Sequence, residues 1–171
     1  MKTATLAITF VIAALGLSST STAEAPVPLP TPVVVAETIT VTETFKDRVQ
    51  KATLEERRTL LKAKVTEVAL EYGVNAEQVY RTIASCENTA IEPDLQSGHR
   101  YGYDNPRWGT VAGERERSYG LAQIHLPSHP TVTKEQATDP DFAITFMVKE
   151  FSKGNQRAWT CWRKLYEVQY K

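Results

Sequence analysis

Residues 74–87 read VNAEQVYRTIASCE, and the fold follows from how that run is organised. Asn75 has the chemistry of a helix N-cap, Gln78 stands where it would complete a capping box, and Val74 and Val79 flank the start as a hydrophobic staple. Beyond that start Val79, Ile83 and Glu87 recur every four residues, so one helical stripe carries two apolar side chains and a carboxylate. Burial and the negative end of the helix both disfavour the ionised form of such a group, which predicts a raised pKa. A carboxylic acid still protonated near neutral pH is what glycosidic cleavage uses to protonate the departing sugar oxygen. The other reading of Glu87 is a solvated or ion-paired glutamate at a helix end.

Upstream of this run, Leu60, Leu61, Val65, Val68, Ala69 and Tyr72 share one helical face before Gly73, which marks a core-facing helix stopped by glycine. Helical periodicity begins after Phe45. On the other side, residues 93–118 hold Gly98, Gly102, Gly109, Gly113 and Pro106 with little periodicity, which predicts a loop-rich lobe with a small hairpin and the substrate groove. Asp139 and Pro140 then give a cap and a first-turn proline. Phe142, Ala143, Phe146, Met147 and Phe151 mark a buried helix ending at Gly154, and a last helix carries Trp159, Trp162 and Tyr166. The expected class is mainly α, with a loop-rich or small β lobe flanking a cleft.

The chain is 171 residues long, with 42% hydrophobic and 23% charged side chains, which suits one domain with a short appendage. Twenty basic and twenty acidic residues cancel, which argues against a nucleic-acid binder that relies on a strong overall positive field. Lys2, the apolar run from Ala4 to Leu17 and the Ala23-Glu24-Ala25 site form a secretory signal over 1–25. A permanent anchor is the alternative, although the run is shorter than the ~20 apolar residues of a spanning helix. Residues 26–45 read as a Pro/Thr-rich flexible spacer, with a single strand through Ile39 and Val41 as the alternative, and 46–171 as the expected folded domain. Cys86 and Cys161 are the two cysteines; an exported chain meets an oxidising compartment, which favours a long-range disulfide over two buried thiols.

The run Ile83-Ala84-Ser85-Cys86-Glu87, then Pro93 and Ser97, then Ser118-Tyr119-Gly120-Leu121-Ala122-Gln123-Ile124, resembles the lytic transglycosylase domain of the lysozyme-like superfamily. The resemblance spans roughly Leu60 to Arg163. It departs from the pattern at Asn88, where serine is usual, and at Pro93, which lies one residue further on with Ile91 rather than an aromatic before it. A one-residue insertion accounts for the altered spacing. The resemblance implies a lysozyme-like fold, Glu87 as catalytic acid and base, and Ser97, Ser118, Tyr119, Gly120 and Gln123 as substrate-binding residues. Ser97 matches the serine that hydrogen-bonds sugar near the acid, and Gln123 the glutamine lining the cleft.

The implied substrate is the peptidoglycan glycan strand outside the cytoplasm, secreted or in the cell envelope. In the mechanism that the resemblance implies, Glu87 protonates the oxygen between N-acetylmuramic acid and N-acetylglucosamine, the N-acetyl group assists, and Glu87 then takes the proton of the sugar's own 6-hydroxyl as a 1,6-anhydro end forms. The resemblance implies no cofactor and no metal. A hydrolytic lysozyme is the nearest rival, since Asp104, Glu114 or Glu116 can supply a second carboxylate, though residues 114–117 read first as a solvated alternating-charge run. A non-catalytic wall-binding module is the rival of another class. His125 and His129 offer two metal ligands at most, with Pro127 and Pro130 interrupting a helix between and after them, and His125 is placed to touch sugar or to pack. Among the loop aromatics Tyr101, Tyr103, Trp108 and Tyr119, Tyr119 is the one selected to stack on a pyranose ring, whereas Trp159 and Trp162 read as core.

Overall fold

Threonine caps set the first helices. Thr44 precedes α1 (Phe45–Lys51) and Thr53 precedes α2 (Leu54–Tyr72), and in each case the hydroxyl accepts the N3 backbone N–H while Asp47 or Glu56 returns a bond to the cap. The computed structural model describes residues 43–167. The expected signal over 1–25, the spacer as far as 42 and the last four residues lie outside the described residues. The end of the expected spacer belongs to the fold instead: the compact unit begins at Glu43, and Phe45 is buried in the core as the first residue of α1.

α2 is the central element, packed on α5 (Pro140–Ser152) and α3 (Ala76–Thr82). Its inner face buries Leu61, Val65, Val68 and Ala69 while Leu70 on the opposite face is 84% exposed, the division a 3.6-residue period demands. Gly73 ends it in the left-handed conformation at φ 64°, donating its N–H to Ala69 and Leu70 carbonyls. Asn75 caps α3 through Gln78 N–H at 3.1 Å, the half of the expected capping box in which the cap receives the bond. Asp139 caps α5 at Phe142 N–H with Pro140 in the first turn, as the sequence indicates. α5 supplies Ala143, Ile144, Met147, Val148 and Phe151 to the core.

The remaining elements are small. α4 (Lys134–Ala137), a further Thr-capped turn, and α6 (Thr160–Tyr166) complete the helices, and β1 (Ser118–Tyr119) pairs antiparallel with β2 (Ile124–His125) in a two-stranded sheet. Residues 96–119 fold back on themselves as an irregular hairpin held by the bonds Ser97 N–H to Ser118, Glu116 N–H to His99, Tyr101 N–H to Glu114 and Asn105 N–H to Thr110. The described chain is therefore mainly α-helical with a small β lobe. None of its helices is long and apolar enough to cross a membrane.

Candidate active site

The helix that opens at Ala76 does not reach Glu87 as an α-helix. After Thr82 the chain widens into a π-helical turn over Ile83–Glu87, closed by Asn88 N–H bonding the Ile83 carbonyl at 2.9 Å. Val79 and Ile83 keep their core positions at 0% exposure. The wider turn carries Glu87 off that stripe and into the wall of a cleft, half-buried instead of sealed in the core. π-turns of this kind recur at functional sites because they re-aim a side chain without ending the helix.

The cleft has a volume of about 720 Å³ and runs between the π-turn, the hairpin lobe and the start of α6. Burial pushes the Glu87 carboxyl from its ordinary 4.5 up to about 7, against the Cys161 backbone N–H, which donates to Oε1 at 3.2 Å and favours the anion. The neighbouring Glu116 carboxylate raises it further, while Lys164 and Arg163 pull it back. A carboxyl raised this far exchanges its proton near neutral pH, which fits it to give a proton and take one back.

Glu116 is the second acid in the cleft, and its setting differs. Its Oε2 accepts the Ser97 hydroxyl at 3.1 Å and its Oε1 accepts the Ser118 hydroxyl at 2.9 Å. The two serines expected to meet sugar are thus committed to a carboxylate. Residues 114–117 are a largely exposed charge run, as expected, with Glu116 alone turned inward, and the run is tied down: Arg115 bonds the Gln96 and Ser97 carbonyls, and Arg117 those of Trp108 and Gly109. The signal available in the sequence was the two-residue spacing of Glu116 and Ser118 on an extended segment, which puts both on one face. Glu114 and Asp104 stay exposed outside the cleft lining.

Of the other expected substrate-binding residues, Gln123 lines the cleft, held at φ 47° with its side-chain amide donating to the Gly120 and Leu95 carbonyls at 2.9 and 3.3 Å. A non-glycine residue in the left-handed region is strained, and such strain is kept where a side chain must be aimed. Tyr119 and Gly120 do not line the cleft. Successive strand residues face opposite ways, so Ser118 in the cleft sends Tyr119 to the far side, where it packs on the core and under the Lys134 ammonium at 5.2 Å. Gly120 is buried at φ 78° against the Ala137 carbonyl, a backbone-packing position.

The cysteines are joined as a Cys86–Cys161 disulfide with the Cα atoms 5.6 Å apart, tying α6 to the π-turn beside Glu87. Asn88 is buried at 1% exposure; its Nδ2 donates to the Glu92 and Gly120 carbonyls and its Oδ1 accepts the Glu92 N–H. It thereby fastens the acid's turn to the Gly120 segment, and Ile91, two residues before Pro93, is fully buried at φ 52°. Among the described residues no three His, Cys, Asp or Glu side chains gather as a metal site.

His125 and His129 both line the cleft, and burial lowers the pKa of each. Trp159 is core, as expected, donating its Nε1–H to the Ala122 carbonyl at 2.8 Å; Trp162 packs half-buried against the same core. Trp108 and Tyr101 do line the cleft, and Tyr103 stands 69% exposed outside that lining. No family model matches the chain, and neither a curated protein nor a solved structure matches it.

Proposed function

We propose that this chain is an exported peptidoglycan lytic transglycosylase of lysozyme-like fold, cleaving the β-1,4 bond between N-acetylmuramic acid and N-acetylglucosamine with Glu87 as acid and base. The observation that carries this is a half-buried carboxyl whose pKa is raised to about 7, facing a cleft of about 720 Å³. Glu87 gives its proton to the bridging oxygen as the bond to the anomeric carbon breaks. The muramyl N-acetyl oxygen stabilises that carbon, the 6-hydroxyl oxygen then bonds to it, and the hydroxyl proton returns to Glu87. The motif from Gly120 to Ile124 supports this outcome through resemblance, and the disulfide suits an oxidising compartment.

The second reading is hydrolysis, and Glu116 is the observation that favours it. An acid at Glu87 and a carboxylate anchored by Ser97 and Ser118 in the same cleft are the two groups with which a lysozyme activates water. Mass spectrometry of products from purified peptidoglycan, with Glu87→Gln and Glu116→Gln in parallel, separates the readings. Anhydromuramyl ends that vanish in Glu87→Gln and persist in Glu116→Gln support the transglycosylase. Reducing ends lost in both variants mean a lysozyme, and a folded wild type that yields neither product means a non-catalytic wall-binding module.

A further inference from the structure

Trp108 is an exposed aromatic in the wall of the cleft, 36% accessible and next to His125. Its position is tightly built. The turn that carries it is closed by Trp108 N–H to the Asn105 carbonyl, Gly109 N–H to Pro106 and paired bonds between Asn105 and Thr110, and the Arg117 guanidinium binds the Trp108 and Gly109 carbonyls at 3.2 and 3.1 Å. The indole meets the His125 ring edge-on at 5.3 Å.

That histidine is itself fixed at both nitrogens. Tyr101 Oη accepts the Arg117 backbone N–H at 3.0 Å and shares a hydrogen bond with His125 Nε2 at 3.1 Å. Nδ1 shares a second with Ser128 Oγ at 2.7 Å. A rigid turn, a locked imidazole behind the ring and hydroxyl groups at its margin are what a binding group has when it is organised before its ligand arrives.

We propose that Trp108 is a sugar platform: one pyranose ring of an N-acetylated β-1,4-glycan stacks its C–H face on the indole, and the polar residues around it meet the ring's hydroxyl edge. A pyranose has this pairing of an apolar face with a polar rim, which a lipid chain lacks. The inference rests on the glycan reading of the cleft and adds the group that binds the strand through a contact separate from the acid. Tyr119, the ring the sequence selected for this role, packs on the core instead.

The test is calorimetric titration of chitotetraose, an uncharged β-1,4 oligomer of N-acetylglucosamine, into wild type, Trp108→Ala and Trp108→Phe, with near-ultraviolet circular dichroism and melting curves to establish that each is folded. Trp108→Ala should weaken binding about tenfold and Trp108→Phe should recover some of the loss, the size expected of one well-placed aromatic contact. On peptidoglycan, KM should rise while kcat stays within about twofold. Equal affinity in wild type and Trp108→Ala overturns the platform and leaves the glycan reading standing. A folded wild type that binds neither chitotetraose nor purified sacculi overturns both.

Discussion

The backbone N–H of Cys161 donates to Oε1 of Glu87 at 3.2 Å, while the Cys161 sulfur is bonded to Cys86, the residue before that glutamate. One residue of α6 therefore holds the acid's segment covalently and holds the acid itself through a hydrogen bond. The disulfide closes a loop spanning 75 positions, for which chain entropy sets a contribution of about 4 kcal/mol. Reduction, or the double substitution Cys86→Ala with Cys161→Ala, should lower stability by that amount in urea denaturation. The N–H favours the anion, so loosening α6 should also move the alkaline limb of the pH–activity profile upward. A limb that stays in place would mean the N–H is held by the rest of α6 without the disulfide.

Glu87 itself links activity to pH and stability to pH in the same direction. In the proposed mechanism only the protonated form starts the reaction, so activity should fall as pH rises through about 7, and Glu87→Gln should lose at least ~100-fold. In the unfolded chain this carboxyl returns to its ordinary 4.5. Below that pH both states hold the proton; between 4.5 and 7 the unfolded state releases it first, so stability falls as pH rises and the full penalty, about 3 kcal/mol, is present above 7. Glu87→Gln does not titrate and should be the more stable protein at pH 8, the gap closing at pH 4. Thermal melts of both across that range decide it: parallel curves would mean the carboxyl is not raised.

Ser97 and Ser118 are hydrogen-bonded to Glu116, and a mutant cycle tests whether that is their main role. Ser97→Ala should cost about 1.5 kcal/mol of stability, the usual size for a bond to a charged group. In a Glu116→Ala background the same change should cost almost nothing, a coupling well within reach of denaturation experiments. If Ser97→Ala leaves stability untouched and instead raises KM, the hydroxyl serves substrate rather than Glu116.

The helices were legible because burial and capping act over a few residues. The face from Leu61 to Ala69, the Asn75 and Asp139 caps and the Gly73 stop all depend on local spacing, and each lies where the sequence puts it. The cleft depends on contacts between distant segments. Ser97 meets Glu116 nineteen positions away and Glu87 meets Cys161 across 74, distances at which periodicity carries no information. The π-turn escaped as well, since Val79, Ile83 and Glu87 have identical spacing whether or not the last turn widens. Tyr119 lies away from the cleft for a simpler reason: the two-residue alternation that brings Ser118 to the cleft turns its neighbour toward the core.

Gly120 gives the sharpest separation between a packing role and a binding role. It lies at φ 78°, and a Cβ there would run into the Ala137 backbone carbonyl, with the Pro93 carbonyl 3.5 Å away on another side. Alanine would meet left-handed strain together with overpacking against backbone atoms that cannot rotate aside, so Gly120→Ala should destabilise by about 2–4 kcal/mol. Gly102, whose added Cβ has nothing within 4 Å and whose φ is not positive, is the control and should tolerate alanine within about 0.5 kcal/mol. Urea denaturation of the two variants reads this directly. The Asn88 and Gln123 amides both bond the Gly120 carbonyl, so the displacement should reach the cleft wall and lower turnover as well. A Gly120→Ala protein of wild-type stability with weakened glycan binding would instead return this glycine to the substrate.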